Sequence, residues 1–109
     1  MKTVEFLGSS LDDLRSFPVP VMREVGYQID RLQNGLLPDN FKPMSIVGSA
    51  VAEIRIWDEA GTFRVLYVAK FEKAVYVLHC FQKKSQKTTK KDIDLAAKRY
   101  RDLIKEIAS

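Results

Sequence analysis

From Met44 onward the apolar residues of this 109-residue chain stop recurring at helical spacing and gather into short β-rich runs with almost nothing between them. Residues 45–47, 50–58, 62–71 and 74–83 are rich in Val, Ile, Phe, Tyr and Trp, separated only by Gly48-Ser49, Glu59-Ala60-Gly61 and Glu72-Lys73. Connections this short leave consecutive strands no route except antiparallel pairing, because a parallel crossover needs about a dozen residues or more. The helical patterns stand before and after the block, not within it. The expected architecture is α+β, with an N-terminal helical hairpin, an antiparallel β-meander and a C-terminal helix, and a doubly wound parallel sheet is excluded. The length suits one domain over residues 1–109.

Residues 3–7 alternate like a strand, and Ser10 followed by Asp13 is a capping-box pattern for a short helix carrying Leu11, Leu14 and Phe17. Pro18 stops that helix. Pro20 suits the first turn of the next, where Val21, Val25, Ile29 and Leu32 recur at helical spacing until Asn34-Gly35 closes it. Arg23, Glu24, Gln28, Asp30 and Arg31 form its polar side. Thr89 with Asp92 predicts the cap of a last helix over residues 90–108, with Ile93, Ala96, Ala97, Tyr100, Leu103, Ile104 and Ile107 on one apolar stripe. Lys98, Arg99, Arg101 and Lys105 then lie on its opposite, exposed side.

Charge is distributed unevenly. Residues 1–72 carry 8 basic and 10 acidic side chains, whereas residues 73–109 carry 10 basic and 4 acidic. The excess is densest between Gln82 and Lys91, where Lys83, Lys84, Lys87, Lys90 and Lys91 occur without one acid. Five ammonium groups with no partner in their own segment either sit in water or meet an anion, and a strand end beneath them fixes where that anion docks. Nucleic acid is the polyanion that fits best. No apolar stretch approaches the roughly 20 residues that cross a bilayer, and the opening residues lack a long apolar run, so a cytoplasmic location is expected with no membrane partner.

Alternation places Glu53, Arg55 and Trp57 on one face of their strand and Ala52, Ile54 and Ile56 on the other. If the second set packs under helices, Arg55 projects from the opposite face, and Arg64 on the next strand projects beside it across the turn. With Lys83 and Lys84 this makes a cationic surface in which guanidinium groups can hold a phosphate by two hydrogen bonds. The other reading of the same residues is an ion pair of Arg55 with Glu53, or of Arg64 with a glutamate. His79, the only histidine, lies in the nearly continuous apolar run Val75–Phe81, which suits a hydrogen-bonded structural residue. Tyr67, Tyr76 and Trp57 read as core or sheet-face packing. Phe81, adjoining the lysines, is the aromatic best placed to stack on a nucleobase. Cys80 is expected to be buried; as a lone cysteine it forms no internal disulfide and shows no metal-ligand spacing. The chain also has no glycine-rich phosphate loop.

The strand Val51-Ala52-Glu53-Ile54-Arg55, the run from Gly61 to Tyr67, the stretch from Val77 through Phe81, Lys83, Lys84 and Lys87 to Thr88, and an alanine-containing helix at residues 93–99 resemble the HigB-like branch of the RelE/ParE toxin superfamily, which includes phage-derived relatives. The resemblance implies the toxin of a bacterial or phage toxin–antitoxin pair, neutralised by a cognate antitoxin, often a helix-turn-helix protein. It also implies ribosome-dependent cleavage of mRNA by attack of the ribose 2′-hydroxyl on the adjacent phosphate, without metal or other cofactor. Carried over by position, Arg64 binds the scissile phosphate. Arg55, Lys83 and Lys84 hold flanking phosphates or ribosomal RNA, and Glu53 is a base or an orienter of Arg55. Phe81, Lys87, Lys90 and Lys91 are expected to add RNA contacts from the basic run itself.

Many members of the superfamily end in a strand bearing a His-Tyr pair or a Tyr, whereas this chain ends in a helical pattern with no histidine after His79. The acid and base are therefore open, and a lysine of lowered pKa among Lys83, Lys84, Lys90 and Lys91 is the candidate, because crowded ammonium groups favour losing a proton. The ParE side of the superfamily inhibits gyrase instead of cutting RNA. A non-catalytic protein that binds gyrase or nucleic acid is the alternative function.

Overall fold

The computed structural model describes residues 1–84 and 87–108, so Ser85 and Gln86 of the basic run lie outside the described residues. In chain order the elements are β1 (Thr3–Phe6), α1 (Ser10–Arg15), α2 (Val19–Gln33), β2 (Phe41–Pro43), β3 (Val51–Asp58), β4 (Gly61–Val68), β5 (Ala74–Lys83) and α3 (Lys90–Ala108). The strands form one sheet in the order β1-β5-β4-β3-β2. From β2 to β5 every neighbour is antiparallel, as the short connections require. Adding β1 parallel to β5 makes the sheet mixed. The α+β class stands, with helices before and after the meander. Among the described residues no helix is long and apolar enough to cross a membrane.

One face of the sheet lies under α1 and α2. Val21, Val25, Ile29 and Leu32 of α2 are all buried against Ile54, Phe63, Val65, Val75, Val77 and Cys80. Each such side chain contributes on the order of 2 kcal/mol by leaving water, which outweighs the roughly 1 kcal/mol that Gly26 costs in mid-helix. Asn34 caps α2, and Gly35 follows at φ 78°, a left-handed conformation that suits glycine. Cys80 is buried here, and burial pushes its thiol up to about 12.

The cap of α1 differs from the expected one. Ser9, not Ser10, is the N-cap, and its hydroxyl donates to Asp13 at 2.9 Å. Ser10 is fully buried and its hydroxyl donates to the Val77 carbonyl. Two serines in a row leave the choice of cap to the packing against β5.

The strand expected at residues 45–47 is absent. That stretch consists of turns, in which the Val47 amide donates to the Met44 carbonyl at 2.9 Å and the Val51 amide to the Gly48 carbonyl at 3.2 Å. The edge strand is Phe41–Pro43, where Pro43, lacking an N–H, is tolerated. Met44 and Val47 are apolar because they anchor the turns in the second core, below α3.

On that second face, Ala96, Tyr100 and Leu103 of α3 are buried with Val51, Leu66, Val68 and Leu78. Thr89 and Asp92 cap the helix as expected, with the Asp92 amide donating to the Thr89 hydroxyl at 3.3 Å and that hydroxyl donating to the Asp92 carboxylate at 2.7 Å. The register between β4 and β5 slips at Leu66/Tyr67, where Leu66 faces His79 but Tyr67 faces Val77. Leu78 is the extra residue of this bulge, and both it and His79 turn toward α3.

Candidate nucleic-acid interface

The apolar contacts of α3 lie toward one end of this face, and the remainder of the face carries charge. Pairing places Lys42 opposite Glu53, Arg55 opposite Arg64, Arg64 opposite Phe81, and Thr62 opposite Lys83. Directly opposed residues share a face, so four strands bring Lys42, Arg55, Arg64 and Lys83 together around one carboxylate. Alternation alone set Glu53, Arg55 and Trp57 on this side, and the antiparallel register added the rest.

Glu53 and Arg64 are each only 2% exposed. Arg64 Nε lies 3.3 Å from Glu53 Oε1, an ion pair misaligned for a hydrogen bond. Nη1 of Arg64 donates to the Phe63 carbonyl at 3.0 Å, and the Thr88 hydroxyl donates to Glu53 Oε2 at 2.8 Å. Glu53 thus orients Arg64, not Arg55, and its oxygens are already engaged by a cation and a hydroxyl. Burial lowers the pKa of Arg64, with Glu53 opposing and Arg55 adding to the effect. Arginine starts so high that it keeps its charge. Arg55 is half-buried, and its Nε is buried without a hydrogen-bond partner.

Of the lysines in the basic run, Lys83 stands inside the cluster. Its pKa is lowered, first by burial and then by Arg64, Arg55 and Lys42, against the pull of Glu53. Lys84 is exposed just past the end of β5. Lys87 and Lys91 are exposed, and Lys90 is paired with Asp94 at 3.0 Å on the first turns of α3.

Phe81 does not present a free ring. It is 9% exposed and stacked on His79, with centroids 4.9 Å apart and planes at 20°. His79 is itself buried, its Nε2–H donating to Asp92 at 2.7 Å, while Nδ1 has no partner. The exposed aromatic of this face is Trp57, at 57%. The guanidinium carbons of Arg55 and Arg64 lie 5.5 and 5.7 Å from its ring centroid.

The exposed side of α3 is less cationic than the sequence suggests. Arg99 turns inward, donating to the Leu78 carbonyl at 2.8 Å and to the Ser9 hydroxyl at 3.1 Å, and Lys98 is paired with Asp102. Gly8 makes room for Arg99, since a Cβ there would lie 2.5 Å from its Nε. Sequence reasoning missed Lys42, because it put the strand four residues too late, and Thr88, whose contact with Glu53 joins residues 35 positions apart. Among the described residues, no group of three or more His, Cys, Asp or Glu side chains gathers.

The family model for a phage-derived protein, Gp49-like (DUF891), matches residues 12–101, which include every residue of this cluster. No curated protein matches the chain.

Proposed function

Because this chain belongs to the phage-derived Gp49-like family, part of the RelE/ParE-like toxin superfamily, we propose that it is the toxin of a toxin–antitoxin pair. In this reading it cuts mRNA on the ribosome and is held inactive by a cognate antitoxin with a helix-turn-helix. The observation that carries the reading is the set of four cations, Lys42, Arg55, Arg64 and Lys83, gathered on one sheet face around Glu53.

The chemistry asks little beyond positioning and charge. The 2′-hydroxyl gives up its proton to water as its oxygen attacks phosphorus, the bond to the 5′-oxygen breaks, and the products are a 2′,3′-cyclic phosphate and a 5′-hydroxyl. Cations fixed in advance around the phosphate stabilise the negative charge that grows on its oxygens. Arg55 and Lys42 are placed to meet the phosphate, and Arg64 acts from beneath them, held by Glu53. Lys83, with its pKa lowered, gives its proton to the departing 5′-oxygen. Four cations around a single, already paired carboxylate repel a divalent metal ion, which suits a route that uses none.

The test is translation of a defined mRNA by purified ribosomes with the purified chain, read by primer extension and by the chemistry of the new ends. New stops that bear a 2′,3′-cyclic phosphate are expected, and a 2′-deoxy residue at the cut position should block them. Ribosome association without new ends would favour the non-catalytic binding protein instead.

A further inference from the structure

We infer that Trp57 is a stacking platform for one unpaired nucleobase, so that the cationic face takes single-stranded RNA and not merely phosphate. This rests on the proposed RNA-directed function and specifies the form of RNA that the site accepts.

The ring is 57% exposed and belongs to neither apolar cluster. An isolated exposed aromatic needs no explanation, but this one has two guanidinium groups within 6 Å of its centroid, one of them the nearly inaccessible Arg64. Arg55 has a buried Nε with no partner, so the cation beside the ring is incompletely satisfied by the protein. Trp57 follows Arg55 by two residues on the same face, a spacing of about 7 Å along a strand. That is close to the length one nucleotide adds to an extended single strand. A phosphate on Arg55 and Lys42 therefore leaves a neighbouring base within reach of the indole.

The charges around the ring limit the track. Asp58 and Glu59 follow Trp57 immediately, Asp58 accepting the Ala60 amide at 3.0 Å in the turn. Carboxylates there repel the next phosphate, so the cationic path ends at the ring. Stacking suits such an end, because a base offers an uncharged π-face there. A duplex keeps its bases paired and cannot present one.

Trp57 is the only tryptophan, which makes its fluorescence a direct report of the site. The probe is a short 2′-O-methyl single-stranded oligoribonucleotide, which cannot be cleaved, titrated into the full chain beside a duplex of the same sequence and inorganic polyphosphate. Quenching is expected with the single strand and not with the other two. Trp57→Ala should weaken single-strand binding roughly tenfold, the scale of one base–aromatic stack. It should leave polyphosphate binding and the salt slope unchanged, and Trp57→Phe should recover most of the loss. Equal quenching by polyphosphate, no binding of the single strand, or a Trp57→Ala variant with wild-type RNA affinity would each overturn the inference. Because the probe cannot react, stacking without any cleavage of native mRNA would refute the nuclease reading and leave this one intact.

Discussion

On the α1/α2 side of the sheet, Phe63, Val65, Val75, Val77 and Cys80 meet Val21, Val25, Ile29 and Leu32, and the buried polar residues there are the uncharged Ser10 and Gln28. On the α3 side, Glu53, Arg64 and His79 are buried beside an apolar cluster of similar composition. Both faces therefore contain a core, but only the second keeps an ion pair under cover, Glu53 with Arg64. Replacing a buried ion pair by well-packed apolar residues is often neutral or stabilising, so Glu53 and Arg64 are poorly explained as devices for stability. The difference assigns holding the fold to the first face and meeting an anion to the second.

The largest effect expected on this contrast comes from Phe63→Ala, which empties a fully buried site on the closed face and should cost about 3–5 kcal/mol in chemical denaturation. The molecules that remain folded should bind RNA as before. Lost binding per folded molecule would break the division between the faces.

Arg64→Ala leaves Glu53 buried without its cation and should cost about 3 kcal/mol. Relief of growth arrest in this variant is therefore ambiguous by itself. The informative comparison is the double variant Glu53→Leu, Arg64→Met, which should recover stability to within about 1.5 kcal/mol of wild type while remaining non-toxic. A toxic double variant would show that the pair is structural.

Arg55→Ala separates the roles more cleanly, since Arg55 is half-buried and its Nε has no protein partner. Cleavage should fall about 10²-fold, the scale of one lost group that stabilises transition-state charge, with stability changing by less than about 1 kcal/mol. Unchanged cleavage would remove Arg55 from the site.

Smaller effects belong to the lysines. Lys83→Ala with Lys84→Ala should reduce the log–log salt slope of RNA binding by about two, one for each lost phosphate contact. Lys83 also gives a pH signature. Its folded pKa lies below its ordinary value, so between the two the unfolded chain holds the extra proton and stability rises slightly with pH across that window. Activity should move the opposite way, because the protonated form delivers the proton. The alkaline limb of the rate profile should fall below the ordinary lysine range and shift upward in Lys83→Arg.

Much of this was legible from local pattern. The stripes of α2 and α3, the Thr89–Asp92 cap and the antiparallel order of β3, β4 and β5 follow from periodicity, capping chemistry and connection length, which act within a few residues. The face shared by Glu53, Arg55 and Trp57 was equally readable, because side chains on a strand alternate by geometry. Tertiary structure alone decided which of those residues stay in water. The position of β2 at Phe41–Pro43 and the bulge at Leu78 set the registers that place Lys42 and Lys83 beside Arg64, and β1 docks in parallel on the far edge of β5. The seating of α3 over one end of the sheet leaves Trp57 exposed, while Phe81 is stacked under cover on His79. Burial and pairing join residues tens of positions apart, and such partners leave no trace in the local spacing of either one.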